Sequence, residues 1–160
     1  MDERSGSLRA YAPLALRLLL GALFIAHLYW KLAVLPGGLG AWWRGLESAG
    51  YPPFVPAYVL SAELAGALLI IPGVLTRYAA LYAMPMMAGA AQFWLVRKGF
   101  YFTHAGAEAP LIWLALLGLQ VMLGDGPWAL VASPDPRRLL GMKSAGGATS
   151  SPPAKRRGRG

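Results

Sequence analysis

Four apolar runs, separated by short polar or Pro- and Gly-rich stretches, dominate the pattern of this chain. They cover about residues 13–35, 57–72, 78–96 and 107–123. A helix of about 20 apolar residues crosses a bilayer core about 30 Å thick, and each run approaches or exceeds that length. Pro and Gly immediately follow the first two runs and are expected to end those helices. The pattern predicts an all-α fold, specifically a four-helix transmembrane bundle.

The segments outside the runs predict the topology. Residues 39–56 mix Trp, Tyr and Phe with one Arg and one Glu, which is typical of an amphipathic segment lying in the membrane interface. Residues 1–10 are predicted to be flexible, residues 11–132 to form the membrane domain, and residues 133–160 to be a disordered basic tail. Eleven of the fifteen Lys and Arg residues fall on the side of the two termini. By the positive-inside rule, both termini are predicted to be cytoplasmic in a multi-pass membrane protein.

Composition narrows the function classes. The chain is 56% hydrophobic and 14% charged, and it contains no cysteine. Disulfides, thiolate metal sites and thiol nucleophiles are therefore excluded. The net charge of +8 lies mostly in the C-terminal tail, so the lipid bilayer, not nucleic acid, is the expected partner.

Polar residues within the apolar runs are the candidate functional residues. An ionised carboxylate in hydrocarbon costs about 2.5–3.5 kcal/mol on insertion scales, so Glu63 requires partners. At 1.5 Å per residue, His27 lies about 12 Å, Lys31 about 6 Å and Glu63 about 9 Å below the outer helix ends. Gln92 and Glu108 lie near the outer ends of the third and fourth helices. All four helices are thus predicted to bring a polar group to the outer third of the bilayer.

Each of these residues also has a purely structural interpretation. Lys31 alone could extend its amine to the interface, Glu108 could stabilise a helix start, and His27 could be a hydrogen-bonded core residue. Glu63 could form a structural ion pair with Lys31. Arg17, one turn inside the first helix, is expected to extend to cytoplasmic phosphates, with Asp125 as an alternative partner.

Motifs for other chemistry are absent from the sequence. Two histidines and no cysteine form a poor ligand set, so no metal site is predicted. The chain has no dinucleotide or phosphate-binding glycine motif and no covalently bound cofactor is expected. Electrons for any redox chemistry must come from a bound cofactor, a quinone or a partner subunit.

Three stretches together resemble the DoxX family of small four-helix bacterial membrane proteins. They are LRLLLGALFIAHLYWKL, VLSAELAGALLIIPGVLTRYAAL and GFYFTHAGAEAPLIWLALLGLQVMLGDGPWAL, within about residues 15–130. The positions that carry the resemblance are Arg17, Lys31, Glu63, Gly66, Gly73, Gly99, Phe100, Glu108, Gly124 and Gly126. That family includes a subunit of thiosulfate:quinone oxidoreductase. The resemblance therefore implies a multi-pass protein of the bacterial inner membrane with a redox role involving quinone.

Three hypotheses follow for function. In the first, the chain is a quinone-linked redox subunit. Glu63 and His27 relay protons as catalytic residues, while Lys31, Gln92 and Glu108 bind the quinone. In the second, it is a non-catalytic scaffold or transporter-like protein whose polar cluster is structural. In the third, it is an enzyme that acts on a lipid-soluble substrate by acid–base chemistry.

Overall fold

The computed structural model describes residues 3–134, which form only helices and their connections. Five α-helices, two π-helical segments and one 3-10 turn follow in chain order: α1 Glu3–Tyr29, π Trp30–Val34, α2 Gly38–Ser48, α3 Phe54–Ala65, π Gly66–Ile70, α4 Thr76–Lys98, 3-10 Phe102–His104 and α5 Glu108–Leu123. The all-α prediction is confirmed for the described residues. The predicted basic tail lies outside them, apart from its first two residues.

The sequence predicts most of the helix ends and misplaces one. Helix α1 begins at Glu3, ten residues before Pro13, which was predicted to open the first helix. The preceding residues are mostly good helix formers, and Pro13 is tolerated inside the helix. At the other end, Gly37 and Gly38 have φ of 78° and 59°, a left-handed conformation that glycine adopts without strain. This turn directs the chain into α2, which is helical within the segment predicted to be interfacial.

Helix α4 passes through Pro85 without interruption. In the turn before this proline, the carbonyl of Tyr82 accepts a hydrogen bond of 2.6 Å from the hydroxyl of Tyr58 on α3. A neighbouring helix thus supplies a hydrogen bond in the turn that the proline perturbs, as in membrane helices that contain proline.

The core lies between α1, α3, α4 and α5. Three alanines of α4, Ala79, Ala80 and Ala83, face this core. The contact between α4 and α5 is the most extensive between any two of the described elements. Small side chains permit close helix approach, as is common in membrane proteins. Phe24, Trp113 and Leu117 fill the remaining space.

Within residues 3–134, two segments are long and apolar enough to cross a membrane, Ala10–Val34 and Thr76–Lys98. The apolar helices Phe54–Ile70 and Glu108–Leu123 are shorter. The 16 residues of α5 extend about 24 Å at 1.5 Å per residue, somewhat less than a bilayer core. Large apolar side chains are exposed on all four segments, for example Leu19, Leu68, Val96, Ile112 and Met122.

Candidate functional site

Two close approaches fix the position of α1 against the end of α3. A Cβ atom added to Gly66 would collide with the ring of Phe24, and one added to Gly21 would collide with the side chain of Ile71. The helices therefore approach closely only because glycine occupies these two positions. This packing sets the register between α1 and α3 and brings Lys31 to Glu63.

The centre of the site is a buried ion pair. The Lys31 Nζ donates a hydrogen bond of 2.5 Å to Glu63 Oε1, and the two side chains are 4% and 2% exposed. A buried ion pair persists only where each charge compensates the other, because the loss of one partner leaves an uncompensated charge. The pair links the π-helical segment after α1 to α3.

Helix α2 covers another side of the lysine. The Lys31 Nζ lies 4.1 Å from the centroid of the Trp42 ring, a cation–π geometry. An ammonium group has three N–H donors, and these contacts engage the amine with Glu63 and with the ring. One donor direction is left for a further acceptor.

His27 and Trp113 extend the site towards α5. The Nδ1 of His27 lies 3.6 Å from Glu63 Oε1, longer than a normal hydrogen bond, and the His27 side chain is 49% exposed. Its ring meets Trp113 edge-on at a centroid distance of 4.7 Å.

Trp113 was not among the residues predicted from the sequence. The available signal was a tryptophan in the middle of an apolar helix, away from the interface that indoles favour.

A pocket of about 260 Å³ opens beside the lysine. Its lining is apolar except at two residues and comprises Leu28, Lys31, Leu32, Leu39, Leu60, Ser61 and Leu64. The Ser61 hydroxyl already bonds the Tyr58 carbonyl and the Tyr82 hydroxyl. The surface of the wall is almost wholly apolar, so Lys31 contributes its alkyl chain to the pocket while its amine is directed at Glu63. Such a pocket suits an apolar molecule.

The other two predicted site residues, Gln92 and Glu108, are not hydrogen-bonded to the Lys31–Glu63 pair. The Gln92 side chain is exposed and makes no hydrogen bond to any other described residue. Glu108 Oε2 accepts a hydrogen bond of 2.9 Å from the backbone N–H of Phe102, so this carboxylate holds the loop before α5. Among the described residues, the structure thus brings Lys31, Glu63 and His27 together and gives Gln92 and Glu108 no hydrogen bond or ion pair with them.

A second polar cluster lies at the opposite helix ends, around Arg17. Contrary to the expectation that Arg17 extends to phosphates, its side chain is only 1% exposed. Its Nη1 donates to the carbonyl of Asp125 at 2.6 Å, and its Nη2 lies 3.5 Å from the carbonyl of Trp128. The arginine is directed inwards because the segment after α5 returns across α1 with free carbonyls.

The carboxylate of Asp125 completes this cluster. It accepts hydrogen bonds from the N–H and hydroxyl groups of both Thr76 and Ser133. Burial alone would raise the pKa of the Asp125 carboxyl, but these donors outweigh burial and hold that pKa below its ordinary value. Thr76 opens α4, so Asp125 caps a helix distant in sequence and anchors the chain as far as Ser133.

Metal binding receives no support within residues 3–134, where no group of three or more His, Asp or Glu side chains could hold an ion. A family model, DoxX, matches residues 12–98, more than half of the chain. No curated protein and no solved structure matches the chain significantly.

Proposed function

We propose, from the premise that the chain belongs to the DoxX family, that it is a quinone-binding, redox-associated subunit of the bacterial inner membrane. The DoxX family is membrane-associated. The inner membrane, the multi-pass arrangement, the redox role and the quinone are parts of the proposal. The observation that carries the proposal is the Lys31–Glu63 pair beside an apolar pocket.

The exposed surface supports a multi-pass arrangement. Leucines at the mouth of the pocket are largely exposed, with Leu32 at 64% and Leu64 at 51%. In water such a surface would favour aggregation, whereas in a bilayer it faces lipid tails. A ligand dissolved in the membrane can therefore enter the pocket between α1 and α3 without crossing a polar layer.

The residues of the pocket fit a quinone. Its isoprenoid tail is apolar and would lie along the leucines. A ring carbonyl would accept a hydrogen bond from the Lys31 amine after the amine turns from Trp42 towards the pocket. Reduction of a bound quinone takes up two electrons and two protons. A partner subunit supplies the electrons in this proposal, and the chain supplies the site and the route for protons.

The chain's own groups handle the protons. Glu63 is hydrogen-bonded directly to Lys31, so after a proton leaves the ammonium group, the Glu63 carboxylate can take up a proton from outside and pass it to the neutral amine. His27 lies next to Glu63 and is half exposed, so it links the buried pair to the protein surface. Carboxylates and imidazoles arranged in this way are typical of proton relays in membrane proteins.

The two π-helical segments add support. Lys31 lies inside the first segment, and Glu63 precedes the second by three residues. π-Helical turns are rare and occur frequently at functional sites, since they reorient a side chain at the expense of regular hydrogen bonding.

Quinone binding by the purified protein tests the proposal. We expect ubiquinone or menaquinone to co-purify and to be detected by mass spectrometry, and an added short-chain quinone to quench the fluorescence of Trp42. Lys31→Met should weaken binding at least tenfold. The matched control Lys98→Met removes an exposed lysine at the end of α4 and should leave binding unchanged. Equal affinity in both variants would refute the proposed pocket.

The scaffold hypothesis is the second candidate, and one observation favours it. The Lys31 amine already contacts Glu63 and Trp42, so the pair joins α1, α2 and α3 without any ligand. In that case the purified protein carries no quinone, and a stable variant that lacks both charges retains its cellular role.

A further inference from the structure

Of the four buried side-chain polar atoms that lack a hydrogen-bond partner among the described residues, two belong to residues that His27 contacts. They are the acceptor Glu63 Oε2 on α3 and the donor Trp113 Nε1 on α5. The residues are 2% and 7% exposed, so neither atom is hydrated by bulk water. A buried polar group without a partner costs about 1–3 kcal/mol, and native proteins satisfy nearly all such groups.

His27 contacts both of these residues, Glu63 and Trp113. Its Nδ1 is 3.6 Å from the Glu63 carboxylate, and its ring packs edge-on against the Trp113 indole. A polar contact that exceeds hydrogen-bond length is typical of groups joined through water. One donor, one acceptor and one imidazole provide the two to four polar partners that a buried water needs.

We propose that a single buried water molecule occupies this site, which we call the Trp113 water site. The water accepts the indole N–H of Trp113, donates to Glu63 Oε2 and makes a third hydrogen bond with the imidazole of His27. The water site stands on these three side chains and does not depend on any quinone.

The role of this water rests on the proposed function. An imidazolium ion at His27 gives its proton to the water oxygen, while another proton of the same water passes to the Glu63 carboxylate. The products are the neutral imidazole, an unchanged water and a protonated Glu63. The reverse transfer returns the proton to His27. Trp113 is a positioning residue in this path because its N–H fixes the water and takes up no proton.

Nuclear magnetic resonance of the indole N–H groups tests the site in the wild-type protein, with no ligand added. The Trp113 resonance is identified by its loss in Trp113→Phe, or from its proximity to Phe24 and His27 if that variant does not fold. We expect a cross-peak between this buried N–H and a long-lived water. Absence of the cross-peak would overturn the proposal.

Infrared spectroscopy tests the other end of the bridge. The carboxylate band of Glu63 is assigned by its loss in Glu63→Gln. Trp113→Phe keeps an aromatic ring beside His27 but removes the donor, and we expect it to shift this band. Trp94→Phe, at an exposed indole on α4, should not shift it. An unshifted band in Trp113→Phe would overturn the bridge, whereas loss of quinone binding alone would refute only the proposed function.

Discussion

Removing one charge of the Lys31–Glu63 pair should destabilise the protein more than removing both. The variants are Lys31→Met, Glu63→Gln and the double change. Each single change leaves the opposite charge buried among apolar neighbours, since both side chains are at most 4% exposed. The double change leaves two neutral groups of similar size.

The expected magnitudes follow from the geometry. At 2.5 Å and an effective dielectric constant of about 20, the gross attraction is about 6–7 kcal/mol, most of which offsets desolvation. Breaking a buried pair typically costs 3–5 kcal/mol. Glu63→Gln should fall at the low end, because the amide oxygen still accepts from the lysine. The double change should cost at least about 2 kcal/mol less than the sum of the single changes.

The assay is reversible unfolding of the protein in bicelles, followed for all four proteins of the cycle. A neutral hydrogen bond between membrane helices couples by only about 0.6 kcal/mol on average. Coupling near that value, or strictly additive losses, would refute the ionised pair. If the double variant is stable but binds no quinone, the pair is functional as well as structural.

Three further predictions concern packing, acid stability and topology. Gly66→Ala should destabilise the protein by about 1–3 kcal/mol through overpacking against Phe24. In the control Gly89→Ala, the added Cβ meets no atom within 4 Å, so this change should be neutral or stabilising by up to about 1 kcal/mol. Thermal unfolding of the two variants compares these effects. Hydrogen bonds hold the folded-state pKa of Asp125 below its unfolded value. The contribution of Asp125 to stability is therefore complete above about pH 4 and is lost as the pH falls through the folded pKa. Asp125→Asn should abolish this pH dependence in acid-unfolding curves. A reporter active only in the periplasm should work when inserted in residues 39–56 and fail at the C-terminus, and the reverse result would contradict the predicted orientation.

Depth along a helix could be predicted from the sequence, but rotation about the helix axis could not. Counting residues placed Lys31, Glu63 and His27 at similar heights, and the structure brings them together. The same count placed Gln92 and Glu108 nearby, yet these two make no contact with the others. Apolar residues surround each helix, so no polar stripe fixes which face points inwards.

Contacts between residues that are distant in the sequence could not be predicted either. Arg17 was expected to reach lipid phosphates, with Asp125 as an alternative partner. The structure makes Asp125 the partner, but through its backbone carbonyl, which carries no residue-specific signal. Trp113 was missed for a related reason, since its indole N–H matters only next to His27. The π-helical segments follow from tertiary packing and have no local sequence signature.

The contact between Arg17 and the segment after α5 has a consequence for the order of events during synthesis. The guanidinium lies in α1, while its nearer acceptor, the Asp125 carbonyl, is 108 residues later. At 5–20 residues per second, that acceptor follows roughly 5–20 s afterwards. During this interval the arginine lacks the backbone acceptors that it has in the folded protein. The contact between α1 and the segment after α5 therefore forms only after α5 has been made.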